Sequence, residues 1–208
     1  MKFNEFKRKI RSLPVFSTSM VGALTPKVGT LKVQLSQWKK KGLIRPLRQG
    51  LYVLGREERQ VEPPLFYLAN QIFVPSYMSL ESALAYYGLI PEYVAQATSV
   101  TVRKTCRFKN DFDTFTYQHI LKSAYSGFES IRQGDFSVLL ANPEKAVVDF
   151  LYFHQAQFPP FDRDIFTKSY RFQNCEHLNP KRLRKYAEQF GNKKLISVVA
   201  LFVQEFVS

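Results

Sequence analysis

Cysteine is scarce in this chain of 208 residues, which has only Cys106 and Cys175, far apart in the sequence. Two such cysteines do not form the framework of a small disulfide-stapled protein. No run of about 18 apolar residues occurs, so we expect no membrane-spanning helix. The first residues also lack the apolar core of a signal peptide. From these absences we expect a protein of the cytoplasm.

Motifs of common enzyme classes are missing as well. The chain has no glycine-rich dinucleotide or P-loop motif, no H-E-x-x-H and no G-x-S-x-G. Cys175 and His177 could offer two metal ligands, but no second pair stands at zinc spacing. Asp111 and Asp113 could indicate a metal-dependent nuclease, but no acid-x-Lys strand follows them, and we interpret them as a solvated turn. We therefore expect no enzymatic activity, no cofactor and no metal.

Positive charge is abundant and unevenly distributed. The chain carries 30 Lys and Arg against 17 Asp and Glu, a net charge of +13. Residues 1–60 hold 14 of the basic residues and three of the acidic ones, so they carry +11 of this excess. A basic block favours a polyanionic partner, because each phosphate that a cation neutralises releases condensed counterions. A solvated basic surface or a membrane-surface helix is the alternative.

The pattern of residues 1–56 is typical of a winged helix-turn-helix. Apolar residues three and four positions apart predict a first helix that ends at Pro14, and a short second helix follows. A third helix is predicted over residues 28–41, with Gly42 as its left-handed C-terminal cap. Residues 43–54 then predict a β-hairpin whose turn is Arg48-Gln49-Gly50.

The third helix can be oriented from its apolar residues. Leu31, Leu35 and Trp38 stand at positions i, i+4 and i+7, so they are predicted to face the core. This orientation turns the following side chains outward: Lys32, Val33, Ser36, Gln37 and Lys40.

The outward side chains suit the major groove of double-stranded DNA. A glutamine can pair with adenine, a lysine can reach guanine or phosphate, and a valine can contact the thymine methyl group. Lys27 and Thr30 lie at the helix N-terminus, where backbone amides also meet phosphate. On the hairpin, Arg45, Arg48 and Gln49 are placed to act as a wing on the flanking backbone or minor groove. The alternative is a soluble helix with a lysine-rich end.

The rest of the chain predicts a larger domain of mixed α+β structure. Residues 57–64 are polar, carry prolines and predict a linker. Residues 65–208 have nearly balanced charge and alternate between helical and extended patterns. Their many aromatic residues could form a stacking platform for single strands, but their spacing favours core packing. The predicted fold class is therefore α+β, with a winged helix-turn-helix domain followed by a larger mixed domain.

Several polar residues of the second domain are assigned to helix ends. Asn142-Pro143 and Asn179-Pro180 predict helix starts, and Ser79 is predicted to cap a helix over residues 80–87. Three acids lie in or just after predicted first turns, where the helix dipole accounts for negative charge. These are Glu81, Glu144 and Asp149.

The segment Pro75–Glu92, with the run Ser-Leu-Glu-Ser-Ala-Leu, resembles the AbiEi-type antitoxins, which regulate type IV AbiE toxin–antitoxin systems. The similarity covers most of residues 14–155. Further similar segments are Arg48–Leu54, Thr98–Thr101, Phe115–Tyr117, Gly127–Phe128 and Ala141–Ala146 with Asp149 and Tyr152.

This resemblance implies a bacterial protein whose winged helix represses its own operon by binding promoter repeats. It also implies that the second domain counteracts a nucleotidyltransferase-like toxin, without a stable complex being required. The chain lacks the Gly-Ser…Asp-x-Asp signature of such a toxin, which fits the antitoxin side. Two alternatives are a stand-alone transcription factor with a ligand-sensing or dimerisation domain, and a nuclease that a winged helix targets to DNA.

Overall fold

The computed structural model describes residues 1–23, 28–92, 94–158 and 164–207. These ranges form a mixed α+β structure with two sheets, one of three antiparallel strands near the N-terminus and one of six mixed strands. The predicted α+β class is therefore confirmed. Within the same ranges, no helix has the length and apolar character needed to cross a bilayer.

The N-terminal part contains three helices and three short strands in the described residues. The elements are α1 (Phe3–Ile10), β1 (Phe16–Ser17), α2 (Thr18–Ala23), α3 (Val28–Lys40), β2 (Ile44–Arg48) and β3 (Leu51–Leu54). Strand β3 is central in its sheet and pairs antiparallel with both β1 and β2.

The hairpin and the cap of α3 were predicted, and both are confirmed. Gly42 adopts a left-handed φ of 71°, and the amide of Leu43 donates to the carbonyl of Trp38 at 3.0 Å. This hydrogen bond closes a Schellman motif, which ends the helix and turns the chain into β2. Arg48, expected in the turn, is instead the last residue of β2. Strand β1 was missed because two residues show no periodicity.

A small aromatic core holds the N-terminal elements together. The indole of Trp38 stacks on Phe6 with ring centroids 4.7 Å apart. Leu31, Leu35 and Trp38 are all buried, so the predicted orientation of α3 is confirmed. The other buried members of this cluster are Ile10, Phe16, Val21, Ile44 and Leu54.

The close approach of two backbones after β3 requires a glycine at position 55. A Cβ atom at Gly55 would lie 2.1 Å from the carbonyl oxygen of Gly42. We expect Gly55→Ala to lower the free energy of unfolding by about 1–3 kcal/mol, because the backbone must shift. Gly22→Ala in α2 is the matched control, since its Cβ meets nothing within 4 Å and alanine favours helix. Urea unfolding measures both, and equal effects would contradict this explanation.

The second part of the chain is built on the six-stranded sheet. Its main elements are α4 (Leu65–Ile72), β4 (Ser76–Met78), α5 (Leu80–Tyr86), β5 (Ala97–Thr101), β6 (Cys106–Lys109), β7 (Thr114–His119), β8 (Phe128–Gln133), β9 (Phe136–Ala141), α6 (Pro143–His154), α7 (Pro180–Gln189) and α8 (Lys193–Phe206). The strand order is β6-β7-β5-β4-β9-β8. The pairs β4/β9 and β5/β7 are parallel, and the remaining pairs are antiparallel.

Helix starts and core aromatics in this part agree with the sequence predictions. The side chain of Asn142 accepts a hydrogen bond from the amide of Lys145, as an N-cap does. Tyr77, Phe115 and Tyr117 are fully buried, which confirms that these aromatic residues pack in the core.

The N-terminal hairpin packs against the second part. Leu47, Leu51 and Val53 belong to the larger hydrophobic core rather than to the core around Trp38. The side-chain amide of Asn110 also donates to the carbonyl of Leu47 at 2.9 Å. The division at residues 57–64 remains a prediction.

A buried ion pair corrects the explanation of Asp149 and Ser79. Asp149 and Lys145 are both 0% exposed and contact each other across one turn of α6. The hydroxyls of Tyr77 and Ser79 donate to the Asp149 carboxylate at 2.9 and 2.8 Å. Ser79 therefore makes no side-chain cap at α5. The carboxylate serves a buried polar cluster, not the dipole of a helix end.

Candidate nucleic-acid interface

The solvent-facing side of α3 carries two parallel ridges of side chains. Lys32, Ser36 and Lys39 form the ridge nearer the hairpin, and all three are exposed. The second ridge consists of Val33, Gln37 and Lys40, which are exposed as well. Val33 is 58% exposed although it is apolar, so its side chain is available to a partner.

A groove separates α3 from the turn of the hairpin. It has a volume of about 460 Å³, and Lys32, Ser36, Lys39, Gln49 and Tyr52 contribute to its lining. The amide of Thr18, at the start of α2, donates to the carbonyl of Gly50 at 2.9 Å. This hydrogen bond fixes the turn, so that Gln49 lies beside the lysines of α3.

The electrostatic character of this surface follows from the local sequence. No Asp or Glu occurs between Glu5 and Glu57. The lysines on the groove therefore have no acidic neighbour from their own segment. Exposed cations of this kind attract a polyanion over about one Debye length, roughly 8–10 Å at physiological salt.

The two hairpin arginines are turned toward the second part of the chain. The Nε of Arg48 donates to the carbonyl oxygen of Ile72 at 2.5 Å. Arg45 forms an ion pair with Asp111 at 3.3 Å, and both side chains are substantially exposed. An exposed pair of this type is worth about 0–1 kcal/mol, so Arg45 can exchange Asp111 for another anion at little cost.

The structure thus brings together only some of the residues predicted for DNA contact. Lys32, Ser36 and Gln49 share the groove, whereas Arg45 and Arg48 face away from it. Lys27 lies outside the described residues, and Thr30 is described only as part of the backbone of α3. Lys39 was missed by the sequence analysis, although its position seven residues after Lys32 places both on one ridge.

The two aspartates considered for chemistry bond to neighbouring groups. Asp113 accepts a hydrogen bond from the amide of Thr114, and Asp111 contacts Arg45. In the part of the chain that the structure describes, no three His, Cys, Asp or Glu side chains are placed to hold a metal ion. Cys175 is unpaired and buried, and burial raises the pKa of its thiol to about 12.

No protein-family model and no curated protein sequence matches this chain. The function is therefore inferred from the shape and charge of the α3 surface, together with the sequence resemblance described above.

Proposed function

We propose that residues 1–56 form a winged helix-turn-helix that binds double-stranded DNA. In this proposal the protein is the transcriptional autorepressor and antitoxin of a type IV toxin–antitoxin system and has no enzymatic activity. The observation that carries the DNA-binding function is the acid-free lysine surface of α3 beside a three-stranded sheet that ends in a hairpin. Helix-turn-helix proteins place such a helix in the major groove.

The two ridges of α3 suggest a division of roles on the DNA. Val33 and Gln37 would contact base edges, since an apolar group suits the thymine methyl and an amide suits adenine. Lys32, Lys39 and Gln49 line the groove at the hairpin turn, where one phosphate backbone would pass. The buried Trp38 and leucines of α3 anchor the helix, so its outward side chains are held in a defined orientation.

The assignment as autorepressor and antitoxin is supported by the resemblance to the AbiEi family. The DNA bound would be promoter repeats of the protein's own operon. Residues 65–208 would counteract a nucleotidyltransferase-like toxin, with or without a stable complex.

The DNA-binding function is tested by fluorescence anisotropy with the upstream promoter region and a shuffled duplex of equal length. We expect tighter binding to the promoter and weaker binding to both as salt rises. The variant Lys32→Ala with Gln37→Ala should lose much of the preference for the promoter while melting as the wild type does. The base contact of Gln37 contributes about 1–3 kcal/mol of discrimination, whereas the phosphate contact of Lys32 contributes affinity for both duplexes. Unchanged discrimination would contradict the orientation of α3 on DNA, and absence of salt dependence would contradict DNA binding itself.

The antitoxin function is tested by co-expression with the neighbouring gene. Growth should stop when the neighbour is expressed alone and recover when this protein is supplied. Recovery by a chain with the Lys32→Ala and Gln37→Ala changes would show that neutralisation is separate from operator recognition. A neighbour without toxicity would contradict the antitoxin assignment.

A stand-alone transcription factor with a ligand-sensing domain is the second candidate. A cleft of about 770 Å³ in the second part of the chain, lined by both polar and apolar side chains, favours it. A neighbouring reading frame that encodes no nucleotidyltransferase would support this candidate over the first.

A further inference from the structure

A cleft opens on one face of the six-stranded sheet, away from the α3 surface. Thr98 on β5 and Thr116 and Gln118 on β7 form its floor. On β7, the alternate residues Phe115 and Tyr117 are buried on the opposite face. Helix α5 packs against β5 and α6, and among the described residues the cleft lies open above β7. The volume of about 770 Å³ lies in the usual range of small-molecule sites.

The charge of the cleft is opposite to that of the protein. Its lining includes Glu81 at the start of α5 and Glu92 in the following loop, and neither Lys nor Arg among the described residues. At the rim, Arg171 contacts Glu92 at 3.3 Å, in a pair whose side chains are both exposed. The imidazole of His154 lies 3.8 Å from Glu81. The C-terminal end of α6 also faces the cleft, and the partial negative charge of a helix C-terminus favours a cation.

One wall of the cleft is aromatic. Phe153 and Tyr170 are half-buried, and Tyr170 packs edge-on against Phe150 with centroids 4.9 Å apart. Burial raises the pKa of the Tyr170 hydroxyl, and the negative charge of Glu81 raises it further. The carboxylate and the aromatic wall therefore face a common space.

The floor of the cleft offers the side-chain amide of Gln118. The side chain of Gln118 is half-buried and bonds to no group in the described part of the chain. Such an amide can donate a hydrogen bond to a bound molecule through its NH2 group or accept one through its carbonyl oxygen.

We propose that this cleft binds a small organic cation, with an amine or amidine group between Glu81 and Glu92 and a flat apolar body against Phe153 and Tyr170. Charge-assisted hydrogen bonds to the carboxylates and the attraction of a cation to aromatic rings supply the affinity. Gln118 orients the bound molecule from the floor. This site is separate from the α3 surface, because none of the described residues that line the cleft lies in the first 60.

Benzamidine tests the proposal, with benzamide as its uncharged analogue of similar shape and benzoate as the anionic one. Titrations followed by two-dimensional amide NMR should show saturable binding of benzamidine, with shifts at Thr98, Thr116 and Gln118. Benzamide and benzoate should bind at least about tenfold more weakly, since they lack the charge that meets the carboxylates. Equal binding of benzamidine and benzamide, or no binding at millimolar concentration, would overturn the proposal.

Glutamine variants test which carboxylates bind the cation. Glu81→Gln and Glu92→Gln should each weaken benzamidine binding about five- to tenfold, because each keeps the side-chain shape and removes one carboxylate. Glu129→Gln, on the exposed surface of β8, removes the same charge outside the cleft and should bind as the wild type does. Thermal melting of each variant checks folding. Loss of affinity in Glu129→Gln equal to that in Glu81→Gln would contradict a defined site.

Discussion

Replacing Asp149 with alanine is expected to lower the free energy of unfolding by about 3–5 kcal/mol, because it leaves the ammonium group of Lys145 buried without its partner. Lys145 is fully buried and lies over the ring of Phe190, with its Nζ 4.6 Å from the ring centroid. Burial lowers the pKa of Lys145, and the carboxylate of Asp149 opposes that shift. The variant also removes the acceptor that satisfies the hydroxyls of Tyr77 and Ser79.

Urea unfolding monitored by circular dichroism measures this loss. Asp135→Ala, in the exposed turn between β8 and β9, is the control and should change stability by less than about 0.5 kcal/mol. The double variant Lys145→Met with Asp149→Leu should recover most of the stability, since apolar residues of similar volume replace both charges. A loss below about 1 kcal/mol in Asp149→Ala would contradict the buried pair.

The stability of the Asp149→Ala variant should also depend on pH in a defined direction. Without Asp149, the folded state holds Lys145 at a pKa below that of the unfolded chain. Between these two pKa values the unfolded state therefore holds more protons than the folded state. Stability therefore increases with pH through the range between the two pKa values. Between pH 7 and about 9.5, below the ordinary lysine pKa of roughly 10.4, the deficit relative to the wild type should shrink. A constant deficit would contradict a charged Lys145 as its source.

Removing three lysines from α3 is expected to weaken DNA binding by about two to three orders of magnitude near physiological salt. Lys32→Ala, Lys39→Ala and Lys40→Ala together remove the exposed cations of both ridges. Each phosphate contact contributes about 0.9 to the slope of log K against log salt. The slope should therefore become shallower by up to about 2.7. Anisotropy titrations at several salt concentrations measure affinity and slope together.

A control variant that removes the same charge elsewhere distinguishes a local DNA-binding surface from an effect of the net charge. Lys181, Arg184 and Lys185 are exposed on α7, and their replacement with alanine also removes three cations. This control should retain nearly all of the wild-type affinity and slope. If both triple variants lose affinity equally, DNA binding does not depend on α3.

Helix boundaries and the orientation of α3 could be predicted from the sequence because their causes are local. The side chain of Asn142 caps α6 by bonding to the amide of Lys145, three residues further on. At Gly42, α3 ends through hydrogen bonds that all lie within a segment of six residues. The inward direction of Leu31 and Trp38 follows from the helical repeat alone. The outward direction of Lys32, Gln37 and Lys40 was predicted for the same reason, whereas Lys39 was not among the predicted residues.

Features that depend on distant pairing could not be predicted in this way. Strand β4 has three buried residues without alternation, and its place follows from pairing with Leu140, 62 residues after Met78. By spacing alone, Lys145 and Asp149 are an ordinary pair one helical turn apart, but Tyr77 from β4 and Phe190 after α7 enclose them.

Distant packing also decides that Arg48 bonds to the Ile72 carbonyl and that a cleft lies above Gln118. Periodicity specifies which side of an element is apolar, because it depends on residues a few positions apart. Which other element covers that side, and which polar groups are enclosed with it, is decided only when segments far apart in the chain pack together.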